Sequence, residues 1–237
     1  MENERNQIDI SAFVELRKKE LGLTESDDLA KLDICSQSIA RWGQYCQYHH
    51  YILLGTLTEK DLSLDSKFEY RRAGENVCLR YVYEANIAAF IQSLHALLDS
   101  FPYLLNLFYK EIPDSESTKV KWSLEFINKY KNYEFYNDLI GFMLEEKFNK
   151  IKGYCNTIKH KHLVRISNSG SHLEFENFSF KQPIEKQQGK YEFEVKVLSG
   201  QNALDFVQEC HNELIPKFFS LCQKLIDFKK NHIEKKL

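Results

Sequence analysis

The chain has 237 residues, 43% of them hydrophobic and 28% charged, with a formal net charge of −2. That length buries a sizeable core in one large domain or two small ones, and the near-neutral charge excludes a global basic excess that would draw the whole surface onto nucleic acid. Nine Gly and four Pro are too few for a loop-rich β-sandwich, a collagen-like chain or a disordered one, whereas 17 Phe, 13 Tyr and 2 Trp give a helical protein much buried area per residue.

In chain order, Ile8 to Leu21 reads as a short amphipathic helix stopped by Gly22, and Thr24 to Asp28 offers capping oxygens to the next. That second helix is expected from about Asp28 to Leu54, through Leu32, Ile34, Ile39, Trp42, Tyr45 and Tyr48, with Gly55 to Asp65 as a connection. From Asn76 to Lys110, Ile87, Phe90, Ile91, Leu94, Leu97, Leu98, Phe101, Leu104, Leu105 and Phe108 recur at three- and four-residue steps. They predict one long helix kinked at Pro102. Pro113 and Asp114 to Thr118 form a loop. Val120 to His162 reads as one or two helices, the second weakened by Gly153.

After His162 the period drops to two. Leu163 to Ile166 and Leu173 to Phe175 are expected to pair around Asn168-Ser169-Gly170, with Phe178 to Phe180 continuing the strand past a bulge. Tyr191 to Val197 alternates apolar and charged residues, and the loop Pro183 to Gly189 is read as polar and mobile. A last helix is expected from about Asn202 to His232, kinked near Pro216, with a basic tail from Lys229 that frays. The predicted fold is mainly α, a helical bundle with a small antiparallel β-sheet inserted before the last long helix. Residues 1–75 are read as an N-terminal helical extension packed on the bundle, and 76–237 as the main domain, with its β-insertion at about 163–198.

Met1 to Asn6 shows no basic segment leading into an apolar one, so a secretory signal is not expected, and the expected location is cytoplasmic. No apolar run approaches the 18 residues of a membrane span, and no membrane partner is expected. The six cysteines include no CxxC pair, which predicts reduced, buried thiols. No cofactor and no metal site is expected. GxGxxG, Walker, HExxH and GxSxG signatures are all missing. His49 and His50 point about 100° apart on a helix and are read as structural or surface residues.

The informative segment is Lys152-Gly153-Tyr154-Cys155-Asn156-Thr157-Ile158-Lys159-His160-Lys161-His162. On a helix, Lys152, Asn156 and His160 share a face, roughly 130° from the apolar face of Phe148, Ile151, Cys155 and Ile158. Lys147, Lys150, Lys152, Lys159, Lys161 and Arg165 fall in this stretch with His160 and His162 and no acid. This local positive island suits an anion, a phosphodiester among the candidates. The helix dipole alone also favours lysines near a C-terminus, and a His there can cap carbonyls. His95 and Asp99, four residues apart on the long helix, read as a polar pair behind the site or as a satisfied core histidine.

Asn156-Thr157-Ile158-Lys159-His160 resembles the second half of the Arg-Asn-x-x-x-His motif of HEPN domains, an all-helical nucleotide-binding family that includes many bacterial RNases and toxins. The resemblance covers about Asn76 to Phe228. Cys155 stands where the family has its Arg, and a Cys supplies no cationic fork. The resemblance implies an RNA-binding or RNA-cleaving protein, a metal-independent endoribonuclease of the kind found in bacterial defence and toxin–antitoxin systems. His160 would be the acid/base, Asn156 would position phosphate or ribose, and Lys152, Lys159, Lys161 and Arg165 would bind phosphate, with His95 and Asp99 behind them. It also implies a homodimer with the two motifs facing each other. The alternative is a non-catalytic module that binds a nucleotide, RNA or a protein partner.

Overall fold

A computed structural model describes residues 8–22, 24–56, 69–72, 75–169, 172–187 and 190–235. The helices are α1 (Ser11–Leu21), α2 (Asp27–Thr56), α3 (Leu79–Asp99), α4 (Phe101–Tyr109), α5 (Leu124–Ile127), α6 (Tyr136–Met143), α7 (Glu146–His160), α8 (Ala203–Glu209) and α9 (Ile215–Glu234). The strands are β1 (Glu69–Arg72), β2 (Glu75–Cys78), β3 (Ile166–Asn168), β4 (Leu173–Phe175), β5 (Phe178–Gln187) and β6 (Lys190–Leu198), paired antiparallel as β1–β2, β3–β4 and β5–β6. The protein is thus mainly helical, with antiparallel β structure ahead of the last long helix. No helix among the described residues is long and apolar enough to cross a membrane. The chain divides into two compact units, one of Met1–Trp42, Ala96–Met143 and Pro216–Leu237, the other of Gly43–His95 and Leu144–Ile215.

In the first unit, α1 ends where Gly22 turns left-handed (φ 63°) and returns its N–H to the Lys18 carbonyl, a conformation glycine adopts without a Cβ penalty. α2 starts where the Ser26 hydroxyl accepts from the Leu29 N–H at 3.2 Å. The core is aromatic. Trp122 stacks between Phe101 (5.2 Å) and Phe142 (5.5 Å), and its Nε1 donates to the Leu98 carbonyl at 2.7 Å. Tyr109, Tyr130, Tyr133, Phe135 and Phe228 form a second cluster, from which the Tyr109 hydroxyl donates to the Leu225 carbonyl at 2.9 Å. Trp122 and Tyr109 thus keep their polar tips satisfied while their rings are buried, whereas the buried Tyr130 hydroxyl meets no hydrogen-bond partner among the described residues.

In the second unit, Ile87, Phe90, Ile91 and Leu94 of α3 and Phe148, Ile151 and Tyr154 of α7 are buried. Tyr154 meets Phe175 and Phe178 edge-on at 5.7 Å each, and Phe175 meets Phe206 at 5.7 Å. The Asn202 side chain caps α8 by accepting from the Leu204 and Asp205 N–H groups. A π-helical stretch, Cys210–Leu214, then precedes Pro216.

Several expectations are corrected. The long helix starts three residues later than Asn76 because Glu75–Cys78 pairs with Glu69–Arg72 as a hairpin, whose four-residue strands carry too few apolar residues to show a period. The expected long helix is divided at Ser100, beside Pro102. Ser100 keeps right-handed helical φ/ψ and donates its N–H to the Ala96 carbonyl at 3.1 Å, and Pro102 sits in the first turn of α4, where a missing N–H is tolerated. Val120 to His162 holds α5, a 3₁₀ turn, α6 and α7 rather than one or two helices. On α2 the buried stripe runs through Leu32, Cys35, Ser36, Ile39, Cys46 and Leu53, while Ile34, Tyr45 and Tyr48 are exposed. Aliphatic and small residues, not the tyrosines, mark the packed face there. Of the expected connection Gly55 to Asp65, Gly55 and Thr56 belong to α2, and 57–65 lie outside the described residues.

Phe178 opens a new strand paired with β6 rather than continuing β4, and that strand runs to Gln187 through the expected loop. The alternating row of β6 is not buried: Phe193, Val195 and Val197 are 62%, 64% and 63% exposed. The expected fraying tail is helical to Glu234, and Lys229 within it is 3% exposed.

Candidate functional site

α7 places the motif residues. Its buried side is Phe148, Ile151, Tyr154 and Cys155, and Gly153 faces β5 at a separation no side chain fits. The opposite side carries Asn156 and His160, both exposed, with Lys152 half-buried one turn earlier. Lys152 lies over the Phe148 ring, its Nζ 5.2 Å from the centroid. Lys159 and Lys161 are exposed beside His160. The face predicted from spacing is therefore formed and open to solvent.

The end of the helix closes on its own backbone. The Lys161 and His162 N–H groups both donate to the Thr157 carbonyl, at 2.9 and 3.2 Å, and the Thr157 hydroxyl donates to the Gly153 carbonyl at 2.9 Å. The capping role open to a terminal His is thus filled without the His160 ring. Among the described residues the side chains of Asn156, Lys159, His160 and Lys161 make no hydrogen bond or ion pair. A helix C-terminus carries roughly half a negative charge, which opposes an anion, so any phosphate affinity here rests on the lysines.

The positive island is smaller than the sequence implied, because acids from outside the segment, one adjacent to it and the others distant, enter it. Lys147 pairs with Glu213 at 2.8 Å and Glu209 at 3.6 Å, and Lys150 pairs with Glu146 at 2.9 Å. The Glu213 hydrogen bond holds the Lys147 ammonium above its ordinary range. Arg165, expected to bind phosphate, is engaged by Glu176: its Nη2 donates to Oε1 at 2.7 Å and its Nε to Oε2 at 3.3 Å. Those bonds hold the Glu176 carboxyl below the usual carboxylate range. The cations turned to solvent on the last turn are Lys159 and Lys161, with Lys152 behind them.

Cys155 is 2% exposed, with its sulfur 4.0 Å from the Ile91 carbonyl oxygen. The position that carries Arg in the resembled motif is thus a core position in this chain. Elsewhere, burial pushes the Cys35 and Cys46 thiols up to about 12, so neither is a nucleophile near neutral pH. His95, half-buried, and Asp99, exposed, occupy the last two turns of α3. His49 Nδ1 lies 3.0 Å from Asn86 Oδ1, and His50 is buried against His211 in a stacked pair with centroids 3.7 Å apart. Sequence reasoning missed the acidic partners of the cations: Glu146, four residues before Lys150, was a legible helical pair, but no local signal could have supplied the others. Glu176 is eleven residues from Arg165, and Glu213 is 66 from Lys147.

Among the described residues no three His, Cys, Asp or Glu side chains gather where they could hold a metal ion. What the arrangement offers chemically is an amide, an imidazole and two ammonium groups presented together to solvent. No protein-family model, curated protein or solved structure matches the chain.

Proposed function

We propose that this is a HEPN-like RNA-binding protein that contacts phosphate through the last turns of α7. The observation that carries the reading is that Asn156, Lys159, His160 and Lys161 are all exposed and make no hydrogen bond or ion pair among the described residues, while the neighbouring cations Lys147, Lys150 and Arg165 are already paired. Lys159 and Lys161 are point charges for successive phosphates. Asn156 presents both a donor and an acceptor to a ribose hydroxyl or a phosphate. A homodimer that faces two such ridges would double the charge along one strand.

The test is fluorescence anisotropy with a short labelled single-stranded RNA at several salt concentrations. Two lysine contacts predict a slope of log affinity on log salt of about −1.4, at roughly 0.7 per contact on a single strand. Lys159→Gln with Lys161→Gln should flatten it to near zero. An unchanged slope would remove the ridge as the contact, and a flat response to RNA and to free nucleotides alike would leave a protein partner.

Cleavage is a second reading, favoured by the open His160 imidazole. His160 would take the proton of a 2′-hydroxyl as its oxygen bonds to phosphorus and the bond to the 5′-oxygen breaks, and the departing 5′-oxygen would take a proton from water while His160 returns its own to solvent, leaving a cyclic phosphate and a 5′-hydroxyl. Binding remains the first reading because Cys155 is turned into the core and Arg165 is held by Glu176, which leaves no cationic fork for the transition-state charge. In EDTA, wild type should then cleave RNA faster than His160→Ala. Equal rates, or none in either, restrict the site to binding.

A further inference from the structure

β6 has an edge and a face that the core does not use. It pairs with β5 from Phe178↔Leu198 to Gln187↔Lys190, the register's irregularity falling at Glu185/Gln187 on β5. Its other edge meets no strand among the described residues. Phe193, Val195 and Val197 stand in a row on one side of it, each more than 60% exposed. Natural edge strands are normally guarded by proline, charge or a bulge. β5 has such guards in Lys181, Pro183 and its irregularity, whereas β6 has no proline and its exposed row is apolar.

We propose that β6 pairs antiparallel with β6 of a second copy of this chain, across a two-fold axis at Val195. The charge pattern selects the occupant and the register. In antiparallel pairing about Val195, Glu194 of each copy lies opposite Lys196 of the other, Phe193 lies opposite Val197, and Val195 lies opposite itself. Opposite charges therefore meet on one face, and the two apolar rows merge on the other. An axis at Phe193 sets Glu192 against Glu194 and Lys190 against Lys196. An axis at Glu194 or Lys196 sets that residue against its own copy. Among axes at residues 193–196, the Val195 axis is the one that brings no like charges face to face. A strand that happened to be exposed would have no reason to be complementary to its own reverse.

An edge contact of this length is at the small end of specific interfaces, so the dimer forms in the micromolar range and dissociates on dilution. The experiment is sedimentation equilibrium of the full chain over a range of concentrations. Wild type should show a monomer–dimer equilibrium. Glu194→Lys, which creates two like-charge pairs, should weaken it at least about tenfold, and Glu194→Lys with Lys196→Glu should restore it. Val195→Cys should give a disulfide-linked dimer that survives dilution, whereas Tyr191→Cys should not. All four positions are exposed or half-buried, and circular dichroism checks that the fold is kept. A chain that stays monomeric throughout overturns the proposal, and so does a dimer indifferent to Glu194→Lys or a swap that fails to restore pairing. A dimer built through α7 would fall in the indifferent class, so this result and the RNA-binding reading stand or fall separately.

Discussion

Gly153→Ala is expected to destabilise the protein by about 2 kcal/mol. The overpacking cost, about 3 kcal/mol, exceeds the gain of roughly 1 kcal/mol from a better helix former. A Cβ at this position would lie 2.4 Å from Phe180 Cβ, 3.0 Å from Phe180 Cα and 3.1 Å from the Ser179 carbonyl oxygen. Carbon atoms in contact rest at roughly 3.5–4.0 Å, so β5 or α7 must give by about 1 Å. The obstructing atoms are the root of a buried side chain and its backbone, not a flexible tip, so no rotamer change relieves the clash. Gly141→Ala is the control. It stands on an exposed position of α6 where a Cβ meets nothing within 4 Å, and it should stabilise by up to about 1 kcal/mol. Urea unfolding of the two variants reads the opposite signs directly, and equal shifts would show that β5 does not rest on α7. Because Thr157 is tied to the Gly153 carbonyl, RNA affinity should fall along with stability in the first variant and not in the second.

The same glycine shows where sequence stops being informative. Read locally, Gly153 is a weak point in a helix. In the fold it is the place where a strand crosses the helix at a distance only glycine allows. What depends on neighbours along the chain was legible: the periodic apolar residues of α3 are buried, Gly22 ends α1, and Asn202 caps α8. What depends on partners far along the chain was not. Alternation in β6 reveals that one face is apolar, but whether anything covers that face is decided elsewhere, and here nothing in its own unit does. The hairpin of β1 and β2 escaped because strands of four mixed residues leave no periodic trace.

The candidate site divides along the same line. Helical spacing correctly put Asn156 and His160 together on an exposed face and Cys155 on the buried one, since both follow from 3.6 residues per turn. The strength of the positive island did not follow, because a lysine's net effect depends on acids brought in by folding. Glu176 cancels Arg165, and Glu213 cancels Lys147. Counting charges along the chain overstates the field. The affinity predicted from the ridge therefore uses Lys159 and Lys161 rather than the six cations of the segment.

Glu20→Gln is expected to be the most damaging single change, costing about 3 kcal/mol. The Glu20 carboxylate receives the Lys229 ammonium at 2.7 Å and is also bonded by Arg17. The Lys229 side chain is only 4% exposed. Removing the carboxylate takes the Glu20 counter-charge from a buried ammonium, a change that typically costs 3–5 kcal/mol. The Tyr109 and Phe108 rings, whose centroids lie 4.5 and 5.1 Å from Nζ, keep the figure at the lower end by a cation–π contribution of about 1 kcal/mol. Lys229→Met should cost less, about 1 kcal/mol, because it fills the same space and leaves Glu20 paired with Arg17. The order of the two variants is the diagnostic, and similar losses would mean that packing rather than charge holds the contact. Burial alone would raise the Glu20 carboxyl, but the hydrogen bonds and charges of Lys229 and Arg17 outweigh it and hold the group below its ordinary value of 4.5. A carboxyl depressed in the folded state contributes stability that is present above its unfolded value and lost as pH falls through its folded value. The gap between wild type and Glu20→Gln should therefore be full near neutrality and close progressively below about pH 4, where wild type carries a neutral acid in place of the ion. A gap that stays constant down to pH 2 would place the loss in shape and not in charge.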